Sequence, residues 1–296
     1  HVTAAFSPRA GKWLPAAGAK ALKKLLAERE KTPPLLTVAF ITYNRSKYLK
    51  RSLPRVLSQL GNDPLAEILV SDNASTDDTR PFVEGLQKTY RNLRCHCNEK
   101  NVGAEGNLHR AIKASRGEYV LVAGDDDYFV EGALHALLTN IVRYRGAALF
   151  YLGNEKIPRR VYTGTGCLQY IGFVSYYMAW ITSVVMRREL YAHIPEPHKH
   201  DASCIPQVYL QMEMLKQRPD FAVLHGAFFA EGCGDHRPKG YNFAEVFIKN
   251  YFDILTAAAD IPAEQLAAEK KRVLEQSILP WCRRIKEERL GLSLGG

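Results

Sequence analysis

From Leu35 the chain alternates short apolar runs with amphipathic stretches. The runs at Leu35–Ile41, Glu67–Val70, Leu93–Cys97 and Tyr119–Val122 have strand length and are rich in Val, Ile and Leu. Between the first two, Leu49, Leu53, Val56, Leu57 and Leu60 recur at helical spacing. They predict a helix over Ser46–Leu60, kinked or shortened at Pro54. Ser75 or Thr76 is expected to cap a second helix through Thr89, with Asp77 and Asp78 favourable in its first turn. A third helix is predicted over Ala104–Ser115. This β-α-β-α-β-α-β order calls for an α/β fold: a mainly parallel sheet with helices on both faces.

Beyond Val130 the pattern loosens. Helices are predicted over Gly132–Tyr144, Ile205–Gln217, Tyr241–Ala258 and Ala263–Lys286, and strands over Ala148–Leu152, Trp180–Met186 and Phe221–Phe229. Tyr162–Tyr177 is rich in Gly and aromatics and receives no element. At the other end, Ala16–Arg29 reads as a basic amphipathic helix stopped by Pro33-Pro34. Three segments follow: a basic helical leader (1–34), an α/β domain (35–240) and a C-terminal helical extension (241–296).

The 296 residues carry a net charge of +9. That balance suits an anionic partner, and no nucleic-acid motif accompanies it. The six cysteines form no C-x-x-C pair, so a zinc site is not expected. Cys95 and Cys97, two apart on the third strand, are expected on opposite faces and unable to bridge. All six read as reduced thiols of a cytosolic chain. No apolar run approaches the ~20 residues of a membrane-spanning helix, and no signal peptide is read.

The candidate chemistry gathers at strand ends. The first strand runs into Thr42-Tyr43-Asn44-Arg45, the second into Asp72-Asn73, and the fourth into Gly124-Asp125-Asp126-Asp127. Parallel strands place all three on the carboxyl edge of the sheet, where open α/β sheets bind ligands. Three adjacent carboxylates repel one another and call for a cation. Asp72 can accept from a nucleobase N–H, and Asp125–Asp127 can hold ribose hydroxyls and a phosphate-bridging Mg²⁺ or Mn²⁺. Neither G-x-G-x-x-G after the first strand nor G-x-x-x-x-G-K-[ST] occurs, which argues against a dinucleotide enzyme and a P-loop NTPase.

These motifs, with Asn98, Asn101-Val102-Gly103, Asn107 and Gly117-Glu118-Tyr119, resemble glycosyltransferase family 2 of the GT-A fold over residues 35–140. The Gly124–Asp127 form and Ser183–Leu190 are similar to the bacterial branch of abequosyltransferase-like enzymes of surface-polysaccharide synthesis. The resemblance implies transfer from a nucleotide sugar, a UDP-sugar as first choice, to a glycan or lipid-linked glycan, with inversion and Mn²⁺ or Mg²⁺. Residues 35–127 then form the nucleotide-binding half and 128–240 the acceptor half. The chain would be cytoplasmic, with peripheral contact at the inner face of the membrane. Thr42, Tyr43, Asn44, Arg45, Asp72, Asn101, Gly103, Asn107, Asp125 and Asp126 would line the nucleotide pocket. Asp126 and Asp127 would hold the metal, with His236, beside Asp235, as a further ligand. Gly124 stands where the common D-x-D-D motif has its first acid, so the division of roles among the three aspartates is open. The family's acid-acid base pair is absent; Asp201, then His200, are the candidate bases, with a helix cap or loop as the alternative. Trp180 and Tyr176-Tyr177 are candidate sugar platforms or core residues, and Arg187-Arg188 candidate phosphate contacts or surface charge. A nucleotidyltransferase and an inactive binding module of the same fold are the competing classes.

Overall fold

The computed structural model describes residues 9–11, 33–153, 160–230, 242, 244–280 and 282–283. After β1 (Arg9–Gly11), the first half runs β2 (Leu36–Thr42), α1 (Ser46–Leu60), β3 (Ala66–Asp72), α2 (Thr79–Gln87), β4 (Leu93–Cys97), α3 (Gly103–Ala114) and β5 (Tyr119–Gly124). The second half runs β6 (Tyr128–Phe129), α4 (Ala133–Arg143), β7 (Leu149–Leu152), β8 (Arg160–Thr165), α5 (Gly166–Val174), β9 (Val184–Arg187), α6 (Arg188–Tyr191), α7 (Pro206–Gln217), β10 (Asp220–His225) and β11 (Phe229–Ala230). Helices α8 (Tyr251–Ala258) and α9 (Ala263–Val273) follow. The expected helix at Ala16–Arg29 and the pair Asp235-His236 lie outside the described residues.

Nine strands form one sheet in the order β1-β8-β10-β7-β9-β5-β2-β3-β4. Strands β5, β2, β3 and β4 are mutually parallel, as are β7 and β10. Strand β9 runs antiparallel between these two blocks, pairing with β5 on one side and β7 on the other. Only β8 and β9 oppose the remaining seven strands, so the sheet is mainly parallel. Strands buried on both faces need unbroken apolar runs, and β2 shows why. Val38 and Phe40 face the helices α1 and α4, while Ala39 faces α3, α5 and α7.

Several expectations are corrected. Helix α2 starts at Thr79, and Ser75 and Thr76 do not cap it; both bond to Asn44 instead. Asp77 and Asp78 precede α2 rather than lying in its first turn, and Asp77 ties the two helix starts together: Oδ1 accepts from the Thr79 N–H and Oδ2 from the Ser46 N–H. Pro54 does not interrupt α1. Cys95 and Cys97 share a face, as strand residues two apart must, with their sulfurs 3.5 Å apart. In Trp180–Met186 only Val184 onward is strand, because Ile181–Ser183 forms a 3₁₀ turn. The strand expected through Phe229 ends at His225. Arg187 does not face a phosphate site. It is buried at the amino-terminal end of β5, bonded to Glu118, the Tyr119 hydroxyl and the Arg145 and Ala147 carbonyls. That is the edge opposite the aspartates.

The C-terminal helices pack on the domain. Glu269 of α9 is 3% exposed and accepts from Ser175 Oγ (2.6 Å), the Tyr251 hydroxyl (2.9 Å) and Arg272 Nε (2.8 Å). Among the described residues, no helix is long and apolar enough to cross a membrane.

Candidate active site at the carboxyl edge of the sheet

The register brings the predicted residues together. Thr42 is paired with Asp72 across β2 and β3, and Ile41 with Gly124 across β2 and β5. The three polar strand ends therefore lie side by side. The loops between them are tied by local chemistry. Asn44 sits at φ 52°, a left-handed conformation that Asn tolerates. Its Oδ1 accepts from the Thr76 N–H at 2.7 Å, and its own N–H donates to Ser75 Oγ at 2.9 Å. Tyr43 beside it is 41% exposed.

Asp72 is buried, and one oxygen accepts from the Ser75 N–H at 3.1 Å. Asn73 organises the next loop: its amide donates to Asn101 Oδ1 and the Gly103 carbonyl and accepts from Asn98 and Val102. Asn101 Oδ1 also receives the Gly103 N–H, so Asn101 and Gly103 shape the turn entering α3. Asn107 is buried under this edge, its amide engaged by Ser71 and Asn98.

The aspartates differ in their surroundings. Asp125 is 4% exposed; Thr42 Oγ1 donates to one oxygen at 2.8 Å and Arg45 Nε to the other at 2.7 Å. Burial lifts its pKa to about 6, although Arg45 and Thr42 pull it down. On the Arg45 side burial opposes the charge, but Asp125 and Asp126 win and raise the guanidinium further. Asp126 is the more open acid and receives Arg45 Nη2 at 2.6 Å. Asp127 is raised to about 6 by burial and by the charge of Asp126, against hydrogen bonds from Thr182 and Trp180. The Thr182 hydroxyl bonds Asp127 while its oxygen accepts the Gly124 N–H at 3.0 Å. Ser52 Oγ donates to the Asp125 carbonyl at 2.7 Å.

Gly124 has a local reason. A Cβ there would lie 2.8 Å from Asp127 Oδ2 and 3.2 Å from Asp126 Oδ1. Those two oxygens occupy the space an acid at 124 would need. Both are hard oxygen donors near one point, and burial and the charge of Asp126 raise the pKa of Asp127. Asp126 and Asp127 thus fit a hard divalent cation that keeps waters and phosphate oxygens as its other ligands. Asp125 is oriented by Thr42 and Arg45, and Asp126 by Arg45 as well.

Thr182, Ser52 and Trp180 had no sequence signal as partners of this cluster. Thr182 lies 55 residues beyond Asp127 and comes into reach only because β9 inserts beside β5. Trp180 is 42% exposed with its ring 4.5 Å from Phe229, and Tyr177 is 52% exposed. Tyr176 instead packs against Phe247 and Tyr251. Gln207, in the first turn of α7, donates to the Ala179 carbonyl, so α7 begins beside the residue that precedes Trp180.

Asp201 lies in the short turn before α7, bonded through Oδ1 to His109 and through Oδ2 to His198. His200 packs against Tyr209 with tilted rings and centroids 4.8 Å apart; its Nε2 is buried and makes no hydrogen bond, and burial lowers its pKa. Neither shares a hydrogen bond with the aspartate cluster among the described residues.

This arrangement is the GT-A glycosyltransferase fold. S. aureus TarS 1–349, solved with UDP-GlcNAc, superposes with a TM-score of 0.55 at 18% identity, over 85% of this chain and 72% of that one. Glucosyl-3-phosphoglycerate synthase of Mycobacterium tuberculosis, solved with Mn²⁺, UDP and glucosyl-3-phosphoglycerate, gives 0.56 at 14% identity, over 85% and 86%. Residues 37–164 match the family model described as Glycosyl transferase family 2. The chain's relatives include the GalNAc(5)-diNAcBac-PP-undecaprenol beta-1,3-glucosyltransferase of Campylobacter jejuni, 34% identical over 106 residues (36% of this chain, 34% of that one). Abequosyltransferase RfbV of Salmonella typhimurium is 24% identical over 208 residues, 61% of each chain. The matched stretches thus span about a third and three fifths of these relatives' lengths.

Proposed function

We propose that the chain transfers a sugar from a nucleoside-diphosphate donor, a UDP-sugar first, to a glycan or lipid-linked glycan in bacterial surface-polysaccharide synthesis. The observation that carries this is the convergence of Thr42, Asp72 and Asp125–Asp127 on one sheet edge within a family 2 domain. The donor class and acceptor class follow the relatives: one neighbour was solved with UDP-GlcNAc, and one relative is named for a polyprenol-linked glycan.

In this reading Asp72 accepts from the base and Asp125 from the ribose, within the frame set by Asn44, Asn73, Asn101 and Gly103. Asp126 and Asp127 hold Mn²⁺ or Mg²⁺, which when bound neutralises charge on the leaving diphosphate. Arg45, already on Asp125 and Asp126, adds a positive charge at the same place. Trp180 and Tyr177 offer exposed rings to a sugar. An inverting transfer needs a base for the acceptor hydroxyl, and Asp201 is the proposed group, with His200 second. His236 is proposed as a further metal ligand. The basic C-terminal segment is proposed to meet the anionic face of the membrane.

Thermal shift with UDP, GDP, CDP and TDP, each with and without Mn²⁺, tests the donor assignment. At a hundred times its Kd, a specific nucleotide stabilises the chain by about 2.7 kcal/mol. Absence of a shift with all four would remove the donor assignment. Asp201→Asn should cut turnover while sparing the nucleotide shift; full turnover in that variant moves the base elsewhere.

A further inference from the structure

A second cluster of metal-ligating side chains lies away from the aspartates. His109, near the middle of α3, is 1% exposed. Its Nδ1 is 2.9 Å from the Tyr191 hydroxyl at the end of α6, and its Nε2 is 2.7 Å from Asp201 Oδ1. Asp201 Oδ2 is 2.9 Å from Nδ1 of His198, whose side chain is 53% exposed. The two imidazole rings are 4.1 Å apart between centroids. One ligand atom from each of His109, His198 and Asp201 lies within 4.8 Å of the others. The donor reading uses neither histidine.

We propose that His109, His198 and Asp201 form a binding site for a borderline divalent transition metal of the Zn²⁺ type, separate from the hard-cation site at Asp126 and Asp127. The donor set decides the class of ion. Two imidazoles and one carboxylate suit Zn²⁺, Co²⁺ or Ni²⁺, whereas Mg²⁺ and Ca²⁺ take oxygen ligands. Three protein ligands with one solvent-facing member leave a position for water, the arrangement of an open zinc site. Metal–ligand bonds of about 2.0–2.2 Å put tetrahedral ligand atoms about 3.4 Å apart. The present contacts of 2.7 and 2.9 Å, made to the two oxygens of Asp201, lie below that spacing, and one ligand atom from each residue is within 4.8 Å of the others, so the three bracket it.

Tyr191 supplies the outer support. A metal on Nε2 of His109 requires the ring proton on Nδ1, and a hydroxyl can accept that proton's hydrogen bond as readily as it can donate its own. The same contact holds the ring's orientation in both states, as partners of metal-bound histidines do. His109 comes from the sheet-covering helix and the other two residues from the segment before α7. An ion would therefore clamp that segment to α3. A carboxylate bound to a metal is a poor proton acceptor, so occupancy and the proposed base role of Asp201 exclude one another.

Co²⁺ is the probe, titrated without nucleotide into chelator-treated chain carrying Asp127→Asn to silence the hard-cation site. The expected result is one Co²⁺ per chain, with the visible absorption of a four- or five-coordinate N/O site. Zn²⁺ should displace it and excess Mg²⁺ should not. His198→Ala, at an exposed position that leaves folding intact, should weaken binding at least tenfold, and Tyr191→Phe about tenfold. Absence of stoichiometric Co²⁺ binding, or an unchanged affinity in His198→Ala, would leave a hydrogen-bonded cluster only and overturn the proposal. Because the nucleotide shift is read separately, failure here does not touch the donor assignment, nor the reverse.

Discussion

At the residue scale, Asp127 sets function against stability. Asp125 and Asp127 hold protons up to about pH 6 in the folded chain, against the ordinary 3.8. Between those values the folded state binds more protons than the unfolded state, so this contribution adds stability as pH falls and removes it as pH rises through about 6. Asp127→Asn keeps an acceptor for Thr182 and removes a buried charge. The metal-free variant should melt higher than the parent at pH 7.5, with the difference shrinking towards pH 4, and should lose the Mn²⁺-dependent part of any nucleotide shift. A lower melting point at pH 7.5 would show that Asp127 is not the strained carboxylate. Gly124→Ala tests the neighbouring contact. Its methyl meets Asp127 Oδ2, which Thr182 holds, so the carboxylate must turn away. Nucleotide binding without metal should persist while the Mn²⁺ increment falls; an undiminished increment would free Asp127 from the metal role. The sequence made Asp72 and the acid run visible as strand-end residues. It could not reveal that Arg45 and Thr42 already occupy Asp125, because those bonds span about 80 residues of chain.

At the scale of elements, strands β2–β5 and helices α1–α3 were legible because period and punctuation agree, whereas β1, within the segment read as a helical leader, was not. Apolar runs alternate with amphipathic ones, and each boundary has a polar turn. The second half was less so for identifiable reasons. Strand β8 has a mixed exposed-and-buried pattern around Gly164, and α5 is apolar on nearly every side, so neither shows a clean period. The shared face of Cys95 and Cys97 follows from strand geometry alone. The C-terminal helices depend on Glu269, whose carboxylate gathers Ser175, Tyr251 and Arg272. Glu269→Ala leaves these donors without their acceptor and should cost about 3 kcal/mol, read by urea unfolding. A change under about 0.5 kcal/mol, the usual size at a surface position, would mean that α9 is not held there.

At the scale of the molecule, the α/β class, the GT-A fold and the gathering of three polar strand ends on one edge could all be read before any coordinates. The order of the sheet could not. Nothing in Val184–Arg187 says that it runs backwards between two parallel blocks, because pairing direction is set by where the preceding segments leave the chain. That placement changes what the 37–164 match means. The family segment ends before the strand that fills its own middle, and β5 pairs with residues up to Arg187. While such a chain is being synthesised, one side of β5 has no neighbour until β9 has left the ribosome. An unpaired, fully apolar edge is a template for self-association. A fragment cut at 164 should therefore form aggregates, whereas the full chain, which adds β9, β10 and the helices that complete the core, should remain monodisperse by light scattering. A monodisperse short fragment would show that the two blocks close on each other directly. The last strand to enter the middle of the sheet, rather than the boundary of the family match, then marks where the open edge of β5 is closed.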